Sequence, residues 1–353
     1  MTLPLPENTS KTSPKTMRIL HWVHRIIFIV GVATIGFLVW RLGPTKIWGH
    51  IQAFGFLGFL TVLPLQCLDH SFNALAWRFT FAPKDAKSIP FKSLFKVRIA
   101  GDAVNYLTPS GTVAGEFIRP GLLGPVASDH VKNTSVAIAK LSQTLGQMAF
   151  ILVGILFMLL GRLDALDDHE IFLIVTGALF VAALIGFSLF ILAAQNRKGN
   201  FFWDIGGPAI RGVRENMRAY LRAHPVRMTL SVIFFTIGYA CGMIEVAVIC
   251  SFMNLPIGAL RALVIEALSN AFEAMMFMVP AKIGTQEAGK VLIFKAMGYT
   301  ASEGLSFAII RHIRELLWSS AGFAIYAFNK KNLKKEQSPS SRQSPEPAGL
   351  SKS

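Results

Sequence analysis

The stretch MVPAKIGTQEAGK, Met278–Lys290, lies inside a strongly apolar region yet carries a proline, two glycines, two lysines and a glutamate. A helix crossing hydrocarbon should avoid most of these residues. Proline removes a backbone donor and clashes with helix continuation. Glycine permits a sharp reversal. The stretch therefore reads as a break at membrane depth. Irregular backbone is tolerated there only where it is buried in protein or lines a wet cavity.

A second broken stretch lies upstream, and the two run in register. Asp102, Pro109, Glu116 and Lys140 match Glu273, Pro280, Glu287 and Arg311, each pair separated by 171 positions. SVAIAK, ending at Lys140, resembles SFAIIR, ending at Arg311. Acid matches acid, proline matches proline and base matches base, the mark of an internal duplication.

Composition sets the environment. The chain has 353 residues, of which 52% are hydrophobic and 16% charged. Mean hydropathy is +0.48. That is too apolar for an ordinary soluble domain. Helices are the expected spanning elements, because strands of a barrel would alternate in short segments. About 20 apolar residues cross a bilayer core. Full spans are expected near 24–42, 47–69, 132–161, 170–194, 226–253 and 303–329. Regions 91–124 and 260–298 are apolar but broken, and read as hairpins of two half-helices.

The expected fold is an all-α integral membrane protein with about six full spans. Two Pro/Gly-broken re-entrant hairpins form an inverted repeat, because an odd number of spans separates them. Residues 18–329 form one membrane domain, between disordered tails at 1–17 and 330–353. Connections 70–98 and 195–227 and the tail after Phe328 are rich in Lys and Arg, whereas GRLDALDDHE at 161–170 holds one arginine. The positive-inside rule then places both termini in the cytoplasm of a multi-pass inner-membrane protein. The net charge of +15 belongs to those loops, so no nucleic-acid partner is expected. Segment 209–223 is amphipathic. Ile210, Val213, Met217 and Leu221 form one face and Arg211, Arg214, Arg218 and Arg222 another, the pattern of a basic helix on an anionic leaflet.

No P-loop, GxSxG elbow, HExxH or dinucleotide fingerprint is present. Cys67, Cys241 and Cys250 lack zinc-site spacing, and no cofactor or metal is expected. The intramembrane charges are the candidates for function. A lone ionised side chain at the bilayer centre costs about 2.5–3.5 kcal/mol. Asp102, Glu116, Arg119, Lys140, Glu273, Glu287, Arg311, Arg314 and Glu315 should therefore face inward and neutralise one another. Glu116 with Arg119, and Arg311 with Glu315, have spacings that permit pairs on one helix. Glu245 is a lone acid in a span, and Glu266 is expected near the outer interface. Lys282 and Lys290 flank the turn, where they would meet a headgroup or snorkel to water.

At these motifs the chain resembles the lysylphosphatidylglycerol synthase transmembrane-domain family of flippase-like membrane proteins. Within it the resemblance is closest to the hopanoid-associated HpnL-type proteins, through ALAWRF at Ala74–Phe79. The family's Gly-Gly-Glu-Pro-x-Arg stands here as Ala114-Gly115-Glu116-Phe117-Ile118-Arg119. Its Pro-Gly-Gly-Leu-Gly-x-x-Glu stands as Pro280-Ala281-Lys282-Ile283-Gly284-Thr285-Gln286-Glu287. The resemblance spans most of 20–328 and does not carry over aminoacyl-lipid synthesis.

The expected function is a lipid flippase that moves a polar, anionic headgroup between leaflets. Asp102, Glu116, Arg119, Lys140, Glu273, Glu287, Arg311 and Arg314 would bind the headgroup. Gly111, Gly115 and Gly284 would permit close backbone approach. The expected partners are a membrane lipid, the anionic leaflet, further copies of the chain and lipid-biosynthesis proteins. The alternatives are a membrane enzyme of hopanoid or polar-lipid biosynthesis and a scaffold that recruits such enzymes.

Overall fold

The computed structural model describes residues 29, 33–108, 114–162, 207–276 and 283–336. The tails 1–17 and 337–353, the span 170–194 and the hairpin tips with Pro109, Gly111, Pro280 and Lys282 lie outside the described residues.

Every described regular element is helical. The order is α1 (Ala33–Leu42), α2 (Pro44–Arg78), α3 (Pro83–Ser88), α4 (Phe91–Leu107), α5 (Ala114–Leu122), α6 (Asp129–Arg162), α7 (Gly207–Ala223), α8 (Pro225–Phe252), α9 (Ala259–Met275), α10 (Thr285–Ala296) and α11 (Ala301–Glu336). Among the described residues three helices are long and apolar enough to cross a membrane, beginning at Pro44, Asp129 and Pro225. With many large apolar side chains facing outward, Phe56, Leu57 and Phe117 among them, the chain is an α-helical membrane protein.

Several boundaries differ from expectation. α2 runs to Arg78, so residues 70–78, read as a cytoplasmic loop, continue the helix. α11 runs to Glu336, past the expected tail boundary at 330. The expected span at 303–329 is one long helix, but it is not in the apolar class, because Arg311, His312, Arg314 and Glu315 interrupt it. The apolar side of α7 is not free for a leaflet from Met217 onward. Met217 and Tyr220 are buried against Ile138 of α6. Tyr220 donates its hydroxyl to the Phe79 carbonyl.

α5 and α10 carry Glu116 and Glu287 in their first turns, 171 positions apart. α4 and α9 precede them, and α6 and α11 follow at nearly the same offset. Packing is reciprocal: α4 lies on α11 and α9 on α6, while α6 lies on α8 and α11 on α2. α2 and α8 face each other across the middle. The main apolar cluster, with Phe54, Ile151, Val246, Ile265 and Phe294, joins α2, α6, α8, α9 and α10.

Candidate functional site

In the first broken region α5 folds back against α4. Gly115 N–H donates to Asn105 Oδ1 at 2.7 Å. A Cβ on Gly115 would lie 2.1 Å from the Gly101 carbonyl oxygen, so only glycine allows this approach. The contact aims α5's charges inward while Phe117 stays exposed. Arg119, 2% exposed, bridges two carboxylates. It donates to Asp102 Oδ1 at 2.6 Å and pairs with Glu116. Arg98 reaches the other Asp102 oxygen at 2.9 Å, and Lys140 stands 3.8 Å from Glu116.

Gly115→Ala is expected to push α4 and α5 apart at a cost of about 1–3 kcal/mol. Gly121, on the same helix with open space around it, is the control. Thermal unfolding in detergent should show a lower midpoint for Gly115→Ala than for Gly121→Ala. Equal midpoints would refute the close-contact role.

The second broken region repeats the scheme with different parts. Gly284 has φ +79, a left-handed conformation that favours glycine, and forms the N-cap of α10. Its N–H donates to Glu287 Oε2 at 2.7 Å. Gly284 thus serves by conformation, whereas Gly115 serves by proximity. Lys290 is buried and donates to Glu273 at 3.0 Å. It neither snorkels nor waits for a headgroup, because α9 supplies its counter-ion. Arg119 with Asp102 and Lys290 with Glu273 each reach back 17 residues, and the two pairs are 171 apart. Glu287 Oε1 lies 2.8 Å from His312 Nδ1, and His312 Nε2 lies 3.1 Å from the Tyr106 hydroxyl. Tyr106 is one turn beyond Asp102 on α4, so both broken regions converge on that helix.

Between them is a cavity of about 250 Å³. α11 supplies Arg311, Arg314 and Glu315; α9 supplies Glu266, Asn270 and Glu273. α2 adds Gln66, Asp69, His70 and Asn73, a polar stripe at helical spacing. α4 adds Arg98 and Asp102, and α8 adds Tyr239 and Glu245.

Arg311 departs from the expected pair with Glu315. It holds Glu266 in a fork, at 2.5 and 2.8 Å, with Glu245 at 3.7 Å. Arg314 takes Glu245 at 2.5 Å and Glu315 at 3.2 Å. A planar guanidinium satisfies two carboxylate oxygens better across a helix interface than along its own helix. Glu266 is 3% exposed, so it belongs to the interior rather than the outer interface.

Of the residues expected from sequence, Asp102, Glu273, Arg311 and Arg314 line the cavity. Glu116, Arg119, Lys140 and Glu287 stand outside its lining and tie the broken helices to their neighbours. Asp69, His70, Arg98, Tyr106 and His312 were missed. The signal for the α2 residues was the stripe itself. Among the described residues no group of three or more His, Cys, Asp or Glu could hold a metal ion. What the arrangement offers is a charge-lined chamber inside an apolar shell, able to take a small polar group out of bulk water.

A family model described as Lysylphosphatidylglycerol synthase TM region matches residues 26–321. No curated protein and no solved structure matches.

Proposed function

The chain belongs to the Lysylphosphatidylglycerol synthase TM region family, and from that premise we propose that it is a flippase moving a polar, anionic lipid headgroup across the bacterial inner membrane. The observation that carries this reading is the charged cavity enclosed by otherwise apolar helices, with walls drawn from both broken regions.

In this reading α4–α5 and α9–α10 are re-entrant hairpins of an inverted repeat. They approach the midplane from opposite faces, with both termini in the cytoplasm. The common offset, the reciprocal packing and the two matched ion pairs support it. The headgroup enters the cavity and its anion exchanges with a carboxylate on Arg98, Arg311 or Arg314. Exchange suits a low-dielectric site, where a guanidinium must keep a partner at every stage. The acyl chains stay in lipid, along the exposed apolar surface. Arg119 and Lys140 with Glu116, and Lys290 with Glu273, hold each hairpin in place and release it in turn. Hopanoid or polar-lipid metabolism is the setting the resemblance suggests for the lipid.

The test uses the purified chain in phosphatidylcholine vesicles containing tail-labelled fluorescent phosphatidylglycerol, with an external quencher reporting leaflet exchange. Exchange is expected with the unaltered chain and is lost in Glu116→Ala and in Glu287→Ala. Normal exchange in both variants removes the role given to the ion pairs of the broken helices. Recovery of a chemically altered lipid, with no exchange, would favour the enzyme instead.

A further inference from the structure

The cavity lining is unevenly charged. Six carboxylates face it, with three guanidiniums and one imidazole. Five of those acids have a cationic partner. Asp102 has Arg98 and Arg119; Glu245 and Glu315 have Arg314; Glu266 has Arg311; Glu273 has Lys290. Asp69 differs. Its Oδ2 accepts from the Gln66 amide at 3.0 Å and its Oδ1 from the Asn73 amide at 2.9 Å. Among the described residues no cationic group makes ion-pair contact with it. A carboxylate held inside a membrane protein by neutral donors, with no cation in direct contact, carries a charge that is costly there.

A second observation points to what is missing. Glu245 is 4% exposed and lines the same cavity. Its Oε2 takes Arg314, but its Oε1 is buried without a hydrogen-bond donor. The cavity wall therefore holds one acid without an ion-pair contact and one buried carboxylate oxygen without a donor, and a proton on either carboxyl relieves that group. Each Asp69 oxygen accepts one amide and keeps a second lone pair that a proton can take, whereas among the described residues no group of three or more His, Cys, Asp or Glu could hold a metal ion.

We propose that this cavity is a proton-binding site, with Asp69 as the carboxylate that takes up the proton. Hydronium in the cavity delivers the proton to an Asp69 oxygen and leaves as water: one O–H bond of hydronium breaks as the carboxyl O–H bond forms, and the bonding pair stays on the water oxygen. The groups facing Asp69 set when this happens. His70 shares its helix, and α4 presents Arg98 and Asp102. α8 presents Tyr239, Cys241 and Glu245, while α11 presents Arg314 and Glu315. Across the cavity stand Glu266 and Glu273 on α9, and α6 contributes the neutral Gln143. Neutralising Asp69 removes one negative charge from the wall and makes the cavity more favourable to an anionic headgroup. That last step, proton-coupled lipid movement, rests on the flippase reading; proton binding does not.

The test is infrared difference spectroscopy of the full chain in phosphatidylcholine nanodiscs, acid against alkaline buffer, with and without carboxyl-¹³C-aspartate. A protonated-carboxyl C=O band that carries the isotope shift is expected. It should vanish in Asp69→Asn, lose the isotope shift in Asp69→Glu, and persist in the exposed control Asp129→Asn. If no isotope-shifted band titrates, or it survives in both Asp69 variants, the proposal is overturned. Loss of the band when sodium replaces choline as the buffer cation overturns it in favour of a metal-cation site. An Asp69-dependent band in a chain that exchanges no fluorescent lipid supports proton binding and removes the flippase reading instead.

Discussion

Arg311→Met should lower the stability of the folded chain by about 3–5 kcal/mol, the cost of breaking a buried ion pair from one side. Arg311 is 7% exposed, and its two main partners are more enclosed still: Glu266 at 3% and Glu245 at 4%. The fork onto Glu266 joins α11 to α9, and the longer contact to Glu245 brings in α8. Removing the guanidinium leaves Glu266 without its two strongest donors, although Asn270 still donates to Oε1 at 2.9 Å. The double variant Arg311→Met with Glu266→Gln should recover most of the loss, because the stranded charge is then gone. Arg311→Lys should recover little, since a point charge cannot reproduce the fork. Thermal unfolding in detergent, with the yield of monodisperse protein, reads all three. A single variant as stable as the parent would show that α9 and α11 are held by apolar packing alone.

Much of this architecture was legible in the sequence, and what was missed has identifiable physical causes. Pro109 and Pro280 with their following glycines read as helix, break, helix; both prolines lie outside the described residues, and α4 and α9 precede them while α5 and α10 follow. The 171-residue register paired Glu116 with Glu287, and each stands in the first turn of a short helix, α5 and α10. The pair of Glu116 with Arg119 followed from spacing on one helix. Spacing says only which groups share a face, however. It could not say that Arg311 would prefer a carboxylate on α9 to Glu315 on its own helix. Glu266 was misplaced because hydropathy treats a charge as a span boundary, whereas here a basic partner on another helix draws it inside. Gln66, Asp69, His70 and Asn73 fell across the expected end of a span at residue 69. Averaged over a window they look like the start of a polar loop, but at helical spacing they form one wall of the cavity. A fifth matched position, Arg119 with Lys290, also lay in the register unread. Its meaning emerges only when both bases are seen reaching back to Asp102 and Glu273.

That fifth position gives the second large prediction: Arg119→Met should cost about 3–5 kcal/mol, and Arg119→Lys should recover only part of it. Arg119 bridges Asp102 on α4 and Glu116 on α5, with its guanidinium 5.9 Å from the Trp77 ring centroid. A lysine can meet one carboxylate but not span two, so the α4–α5 hairpin would loosen even with its charge intact. The reverse exchange, Lys290→Arg, should also destabilise, for a different reason. Arg119 lies along Gly101, where a Cβ would come within 2.4 Å of its Nε. The position 171 residues after Gly101 is Phe272, and its ring already packs against Gly289 beside Lys290. The second hairpin therefore has no groove for a guanidinium, and overpacking of about 1–3 kcal/mol is expected. Phe272→Gly should make room for Lys290→Arg, so their combined cost should be smaller than the sum of the two single costs. Unfolding midpoints of the single and double variants decide it. If Arg119→Lys matches the parent, or the two costs simply add, then the hairpins are not built around these bases and matched charge alone explains their register.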